Sequence, residues 1–143
     1  MGRIIAIANQ KGGVGKTTTA INLSACLAES GQKVLTVDFD PQGNATSGLG
    51  IEKGEIDKTV YDLLVGECDI EECLISNMQE NLDLLPSNVD LAGAEIELLE
   101  IENKEALLKT YLSKIQNNYD FIIICFLVAD HIGFSCTQGK QDI

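Results

Sequence analysis

Positive charge is scarce in this chain: ten Lys and Arg stand against 22 Asp and Glu, a formal net charge of −12 over 143 residues. Such a balance keeps a protein soluble and repels polyanions, so the chain by itself is expected to bind DNA or an acidic membrane poorly. No run of about 18 or more apolar residues occurs, so no membrane-spanning helix is expected. The N-terminus passes from Gly2 and Arg3 straight into IIAIA and a glycine-rich stretch. It therefore lacks the long apolar segment and cleavage site of a signal peptide, and the cytoplasm is the expected location. Cys26, Cys68, Cys73, Cys125 and Cys136 are odd in number and contain no CxxC pair. Neither a disulfide framework nor a zinc site follows from that spacing, and the cysteines are expected to be reduced, several of them serving as small core hydrophobes.

What is present reads as one α/β unit, long enough to bury a core but short for a complete α/β enzyme. RIIAIAN, Arg3 to Asn9, is a continuous apolar run, as expected of a strand covered on both faces. Lys16 to Ser30 is predicted to be a helix, with Ala20, Leu23 and Leu27 on one face and Gly31 as a left-handed cap. KVLTVD, Lys33 to Asp38, is a second strand, followed by a polar loop, PQGNATSGLG. Thr59 to Val65 is predicted as a short helix and Leu82 to Pro86 as a short strand. Asn88 to Ile101 and Asn103 to Ile115 read as helices, the second with a stripe of Leu107, Leu108, Tyr111, Leu112 and Ile115. YDFIII, Tyr119 to Ile124, is a further buried strand. Strands alternating with helices imply parallel crossovers and a layered α/β domain with a mainly parallel sheet.

The chemistry concentrates between the first strand and the first helix, in NQKGGVGKTTT. A strand running into glycines and then a helix gathers backbone N–H groups at the helix's positive end, which favours a phosphate anion. Gly12, Gly13 and Gly15 suit such a loop because a side chain there would block close approach of backbone to phosphate. Lys16 is placed to lie along the β and γ phosphates of a nucleotide, Thr17 to offer its hydroxyl to Mg²⁺, and Thr18 to reach the α-phosphate. The common pattern GxxxxGK[ST] would require glycine at position 10; this chain has Gln10 there, with Lys11 beside it.

KGGVGKTT resembles the deviant Walker A motif of the ParA and MinD group of P-loop ATPases. The resemblance implies a P-loop, three-layer fold and a nucleotide-binding set of Lys11, Gly12, Gly13, Val14, Gly15, Lys16, Thr17 and Thr18. It further implies a homodimer formed on ATP binding, in which Lys11 reaches the partner's phosphates as an arginine finger does elsewhere. A cation supplied from the partner ties hydrolysis to dimerisation, because phosphoryl transfer needs positive charge near its bridging and terminal oxygens. VDFDPQGNATSGLG, Val37 to Gly50, resembles the switch region of the ParA branch, and LAGAEIEL, Leu91 to Leu98, resembles the chromosomal Soj type. By that likeness Asp40 orients the attacking water near the Mg²⁺ shell, and Lys11, Lys16 and Asp40 are the catalytic set, with Thr17 and Asp40 at the metal. Asp38 is expected to structure the loop.

The likeness covers about residues 2 to 124 and then stops. In the family the strand corresponding to YDFIII continues as IIIDCPP, whose aspartate backs the Mg²⁺ through water; here Cys125 takes that place and no Pro-Pro follows. A hard Mg²⁺ prefers oxygen to a thiol. Asp120 cannot substitute, lying five residues upstream at the other end of the strand, about 16 Å away. Asp130 has no spacing that requires it to fold back, and His131, the single histidine, is expected to be solvated. Residues 1–124 are thus expected to be the N-terminal part of a ParA-type domain and residues 125–143 a divergent tail, as in a truncated or frame-shifted product; the alternative is a natural short paralogue. Loss of the later strands is expected to uncover a sheet edge and to lower solubility.

Two functions follow. One is a Mg²⁺-dependent partition ATPase using ATP and ADP, serving chromosome or plasmid segregation. The likeness implies a ParB-like partner and nonspecific DNA for an intact member, which would associate with the nucleoid; DNA binding is not expected of this acidic fragment. The other is a nucleotide-binding or regulatory remnant without turnover. A MinD-like membrane ATPase fits worse, since CFLVADHIGFSCTQGKQDI lacks the basic polar face of an amphipathic anchor.

Overall fold

The computed structural model describes residues 2–10, 14–39, 43–52, 56, 58–87 and 104–128. Its first strand, β1 (Arg3–Gln10), leads through three residues to α1 (Val14–Glu29) and then to β2 (Val34–Phe39). Short helices α2 (Asn44–Gly48), α3 (Val60–Leu64) and α4 (Ile70–Cys73) precede a hairpin of β3 (Ile75–Gln79) and β4 (Leu82–Leu85). Helix α5 (Lys104–Ser113), a 3-10 turn over Gln116–Asn118 and β5 (Phe121–Val128) complete the described elements.

The five strands form one sheet in the order β1-β5-β2-β4-β3. The pairs β1/β5, β5/β2 and β2/β4 are parallel, and only β3 runs against its neighbour β4. Last of the described strands, β5 is inserted between β1 and β2, and Phe121 to Phe126 are hydrogen-bonded on both edges, with Ile122 to Phe126 buried, which explains why this stretch is so uniformly apolar. Residues alternate between the two faces along each central strand. Leu35, Val37, Phe39, Ile122, Ile124 and Phe126 pack with α3 and α5. Val34, Ile123, Cys125 and Ile5 pack with Ala20, Ala28 and Ala45 of α1 and α2. The α/β layered fold with a mainly parallel sheet is therefore as the sequence implied.

Helix ends follow local chemistry. Gly31 has φ +93°, and Gln32 N–H donates to Leu27 O (3.0 Å) while Gly31 N–H donates to Ala28 O (3.1 Å), a left-handed cap that closes α1. Thr59 caps α3, its side chain accepting from Asp62 N–H while the Asp62 side chain accepts from Thr59 N–H. At the amino edge of the sheet, Gly2 is tied to Gln116 O, and a Cβ on Gly2 would run into the carbonyl oxygens of Tyr119 and Gln116.

Several boundaries depart from expectation. α1 begins at Val14 rather than Lys16, and β5 runs to Val128 rather than ending at Ile124, because Cys125 to Val128 pair with Ile7 to Gln10. α2 forms inside the stretch expected to be a loop, and α4 and β3 were not anticipated at all. β3 is short, polar and irregular, with Asn77 at φ 56°, so period-two alternation is missing from ISNMQ. α5 is shorter than Asn103–Ile115, although Leu108, Leu112 and Ile115 are buried as expected. The helix expected over Asn88–Ile101 lies outside the described residues.

Candidate functional site

Parallel strands place their carboxyl ends along one rim, and here that rim carries the ends of β1, β5 and β2 side by side. Gln10 lies opposite Val128, and Phe39 opposite Phe126. Open α/β sheets bind ligands at this rim, where helix N-termini also point. α1 starts there: Val14, Gly15, Lys16 and Thr17 form its first turn, so their backbone N–H groups lack partners within the helix. Thr18 is exposed on the same helix. Lys11, Gly12 and Gly13, which join β1 to α1, lie outside the described residues, as does Asp40, which directly follows the last residue of β2. The backbone thus brings the end of β1, the start of α1 and the end of β2 to one rim.

Asp38, the residue before Phe39, is fully buried and points to the α1 face. One of its carboxylate oxygens accepts from Thr46 N–H (2.8 Å) and Thr46 Oγ1–H (2.6 Å). Thr46 Oγ1 in turn accepts from Ser87 N–H at 3.0 Å. Asp38 does therefore structure the loop. It does so because the N-cap of α2 is Gly43, at φ 66° and without a side chain, so that a carboxylate from the neighbouring strand satisfies a first-turn N–H instead. α2 lies close on α1: a Cβ on Gly48 would fall on Ile21 Cδ1. One strand turn deeper, Thr36 Oγ1 donates to Ser24 Oγ (2.9 Å), which donates to Ala20 O (2.9 Å), a buried hydroxyl chain joining β2 to α1.

Cys125 is fully buried and in register with Ile7 on one side and Asp38 on the other. A thiol therefore stands at the strand position next to the buried carboxylate. Asp120 sits at the opposite rim, where its carboxylate accepts from Lys33 N–H at 2.8 Å, so it takes no part in this site. Asp130, His131 and Cys136 lie outside the described residues. Sequence reasoning missed Thr46, Ser87, Thr36 and Ser24. The available signal was the pair of polar residues two apart in VLTVDF, which a strand must bury on a single face. Among the described residues no group of His, Cys, Asp and Glu is arranged to hold a metal ion, and no helix is long and apolar enough to cross a membrane.

A mainly parallel sheet whose first strand turns into a helix at the carboxyl rim, with GGVGKTT at that junction, is the arrangement of the P-loop ATPase class of α/β proteins. The chain belongs to the AAA domain family, which it matches over residues 2–126. Its relatives there include the sporulation initiation inhibitor protein Soj of Bacillus subtilis, 57% identical over 124 residues, covering 87% of this chain and 49% of the relative. The chromosome-partitioning ATPase Soj of Treponema pallidum is 50% identical over 124 residues, covering 87% of this chain and 48% of the relative. Among solved structures, cobyrinic acid a,c-diamide synthase of Mycobacterium smegmatis with bound ATP analogue and magnesium aligns with TM-score 0.77 and 41% identity, over 88% of this chain and 52% of that one. The chain spans about half the length of the curated relatives it matches.

Proposed function

We propose that this chain is the nucleotide-binding half of a Soj/ParA-type partition ATPase, with ATP held by Lys11, Gly12, Gly13, Val14, Gly15, Lys16, Thr17 and Thr18. One joint observation carries this: β1 hands over to a 16-residue helix at the carboxyl rim of a parallel sheet, and the residues at that junction spell KGGVGKTT. Identity favours the partition branch, at 57% to Soj against 41% to the diamide synthase.

The donor set suits a Mg²⁺-nucleotide. Backbone N–H groups of the turn and first helical turn meet phosphate oxygens, and the Lys16 ammonium neutralises the outer phosphates. Thr17 and Asp40 supply the oxygen ligands that a hard cation prefers. Magnesium, when bound, neutralises charge on the phosphate oxygens. Asp40 holds the attacking water, and Lys11 extends to the nucleotide of a second subunit, so that two chains pair over two nucleotides. In the whole protein this cycle would drive segregation with a ParB-like partner on nonspecific DNA, in the cytoplasm at the nucleoid.

The test is phosphate release from Mg²⁺-ATP by this chain and by Lys16→Ala and Asp40→Ala. Turnover that disappears in both variants supports the ATPase; turnover indifferent to Lys16 removes it. A second reading, nucleotide binding without turnover, is favoured by Cys125, a buried thiol in register with Asp38 where the family carries an aspartate. Binding that depends on Lys16 without any phosphate release would select that reading.

A further inference from the structure

We infer that Cys68 and Cys73 form a dithiol site that a low-molecular-weight disulfide of the glutathione class oxidises reversibly to an intrachain disulfide. The inference goes beyond the nucleotide site and does not depend on it. Both thiols are free in the structure, Cys73 buried and Cys68 partly exposed. Cys73 is the last residue of α4, and Cys68 stands one residue before that helix's N-cap, Asp69. The Cys68 side chain packs against the core cluster to which Cys73 belongs, and the two thiols are hydrogen-bonded to each other. The surrounding backbone holds them there. Glu67 N–H donates to Asp62 O (2.9 Å) and Asp69 N–H donates to Glu72 Oε1 (3.0 Å), so both chain neighbours of Cys68 are tied. Glu72 N–H donates in turn to Asp69 O (3.0 Å), which fixes the residue before Cys73 to the same cap. Ile70 and Cys73 share the core cluster with Leu63 and Leu112, so α4 is anchored from below as well.

Two thiols held in contact by the fold react with each other as if at high concentration, so an intrachain bond is favoured over a lasting mixed disulfide. Cys68 is the accessible partner. As a thiolate it attacks one sulfur of the reagent, forming a mixed disulfide and releasing one reagent thiolate. Cys73, as a thiolate, then attacks the Cys68 sulfur, forming the Cys68–Cys73 bond and expelling the second. Two electrons pass from the cysteines to the reagent, and the two cysteine protons end on the two released thiols. Burial raises the pKa of Cys68, with the Asp62 and Glu72 carboxylates adding to it and the Cys73 hydrogen bond and Lys58 opposing it. Burial, followed by the hydrogen bond from Cys68, raises that of Cys73 more strongly. Attack requires the thiolate, so the exchange is slow at neutral pH and quickens as pH rises.

The experiment equilibrates the full chain, folded and in urea, with mixtures of oxidised and reduced glutathione, traps free thiols by alkylation and digests with trypsin. Thr59 to Lys104 is then one peptide that holds these two cysteines and no other. In the folded chain that peptide is expected to lose the mass of two hydrogens and to escape alkylation, with an equilibrium constant at least about tenfold above that of the urea-unfolded chain. Its formation should be faster at alkaline than at neutral pH. Cys73→Ser is expected to stop at the glutathione adduct on Cys68. Cys68→Ser, which leaves the core intact, is expected to keep Cys73 reduced, and it stands in for Cys73→Ser should that variant fail to fold. A folded-state constant no greater than the unfolded one would overturn the inference. So would a glutathione adduct that persists on Cys68 in the parent, or a bond from Cys68 to a cysteine other than Cys73.

Discussion

The two faces of the sheet are built from the same strands and have different chemistry. Toward α3 and α5, β2 and β5 present Leu35, Val37, Phe39, Ile122, Ile124 and Phe126, met by Tyr61, Leu63, Leu108 and Leu112. Phe39 and Tyr61 stack there with ring centroids 6.0 Å apart. Toward α1, the alternate residues are Thr36, Asp38, Ile123 and Cys125, met by Ala20, Ser24, Ala28 and Ala45. Large hydrocarbon groups on one face supply burial; small groups on the other let α1 approach closely enough for buried hydroxyls and a carboxylate to be bonded across the gap. Stability and site geometry are thereby assigned to opposite faces, and substitutions on each should have separable effects.

The largest effect should come from the hydrocarbon face. Leu112→Ala removes a fully buried side chain and is expected to cost about 3 kcal/mol in urea unfolding, leaving nucleotide affinity of the folded fraction unchanged. A change in affinity would mean that the faces are coupled. Cys125→Asp comes next: it sets a second buried carboxylate beside Asp38, in register across the strands, and is expected to lower stability by about 2 kcal/mol in EDTA. Mg²⁺-ATP should recover a larger share of that loss than Mg²⁺-ATP adds to the parent, as read by thermal unfolding; equal increments would place residue 125 outside the nucleotide site. Thr36→Val removes the donor to Ser24 Oγ and should cost about 1 kcal/mol.

The smallest effect lies at the opposite rim. Tyr119 donates its hydroxyl to an Asp83 oxygen at 2.7 Å, and burial, followed by that carboxylate, raises its pKa. The folded state therefore keeps its proton when the unfolded chain loses it, so this contribution to stability is present below the unfolded pKa of about 10 and declines as pH rises past it. Tyr119→Phe should flatten the pH dependence of unfolding above that point. An unchanged slope would show that the Tyr119 phenol is not held protonated by its buried setting in solution.

Much of this arrangement was legible in the chain. Apolar runs marked β1, β2 and β5, and Gly31 marked the end of α1; KGGVGKTT falls where β1 gives way to α1, with Lys11 to Gly13 outside the described residues. What escaped depends on contacts distant in sequence. α2 forms in a run of turn-forming residues because Asp38 caps it from a neighbouring strand, and local propensity cannot register such a cap. β3 escaped because it pairs on one edge only and carries no alternation. The end of β5 was placed at Ile124 from the change of motif, whereas backbone pairing continues with β2 to Phe126 and with β1 to Val128, irrespective of side-chain chemistry.

The most direct test of the central claim is titration of the freshly folded chain with a fluorescent ATP analogue in Mg²⁺, alongside Lys16→Ala. A turn that seats a triphosphate at the start of α1 gives saturable binding, competed by unlabelled ATP and ADP and weakened at least about tenfold by the loss of one ammonium at the phosphates. No binding at millimolar nucleotide, or equal binding by both proteins, would contradict it.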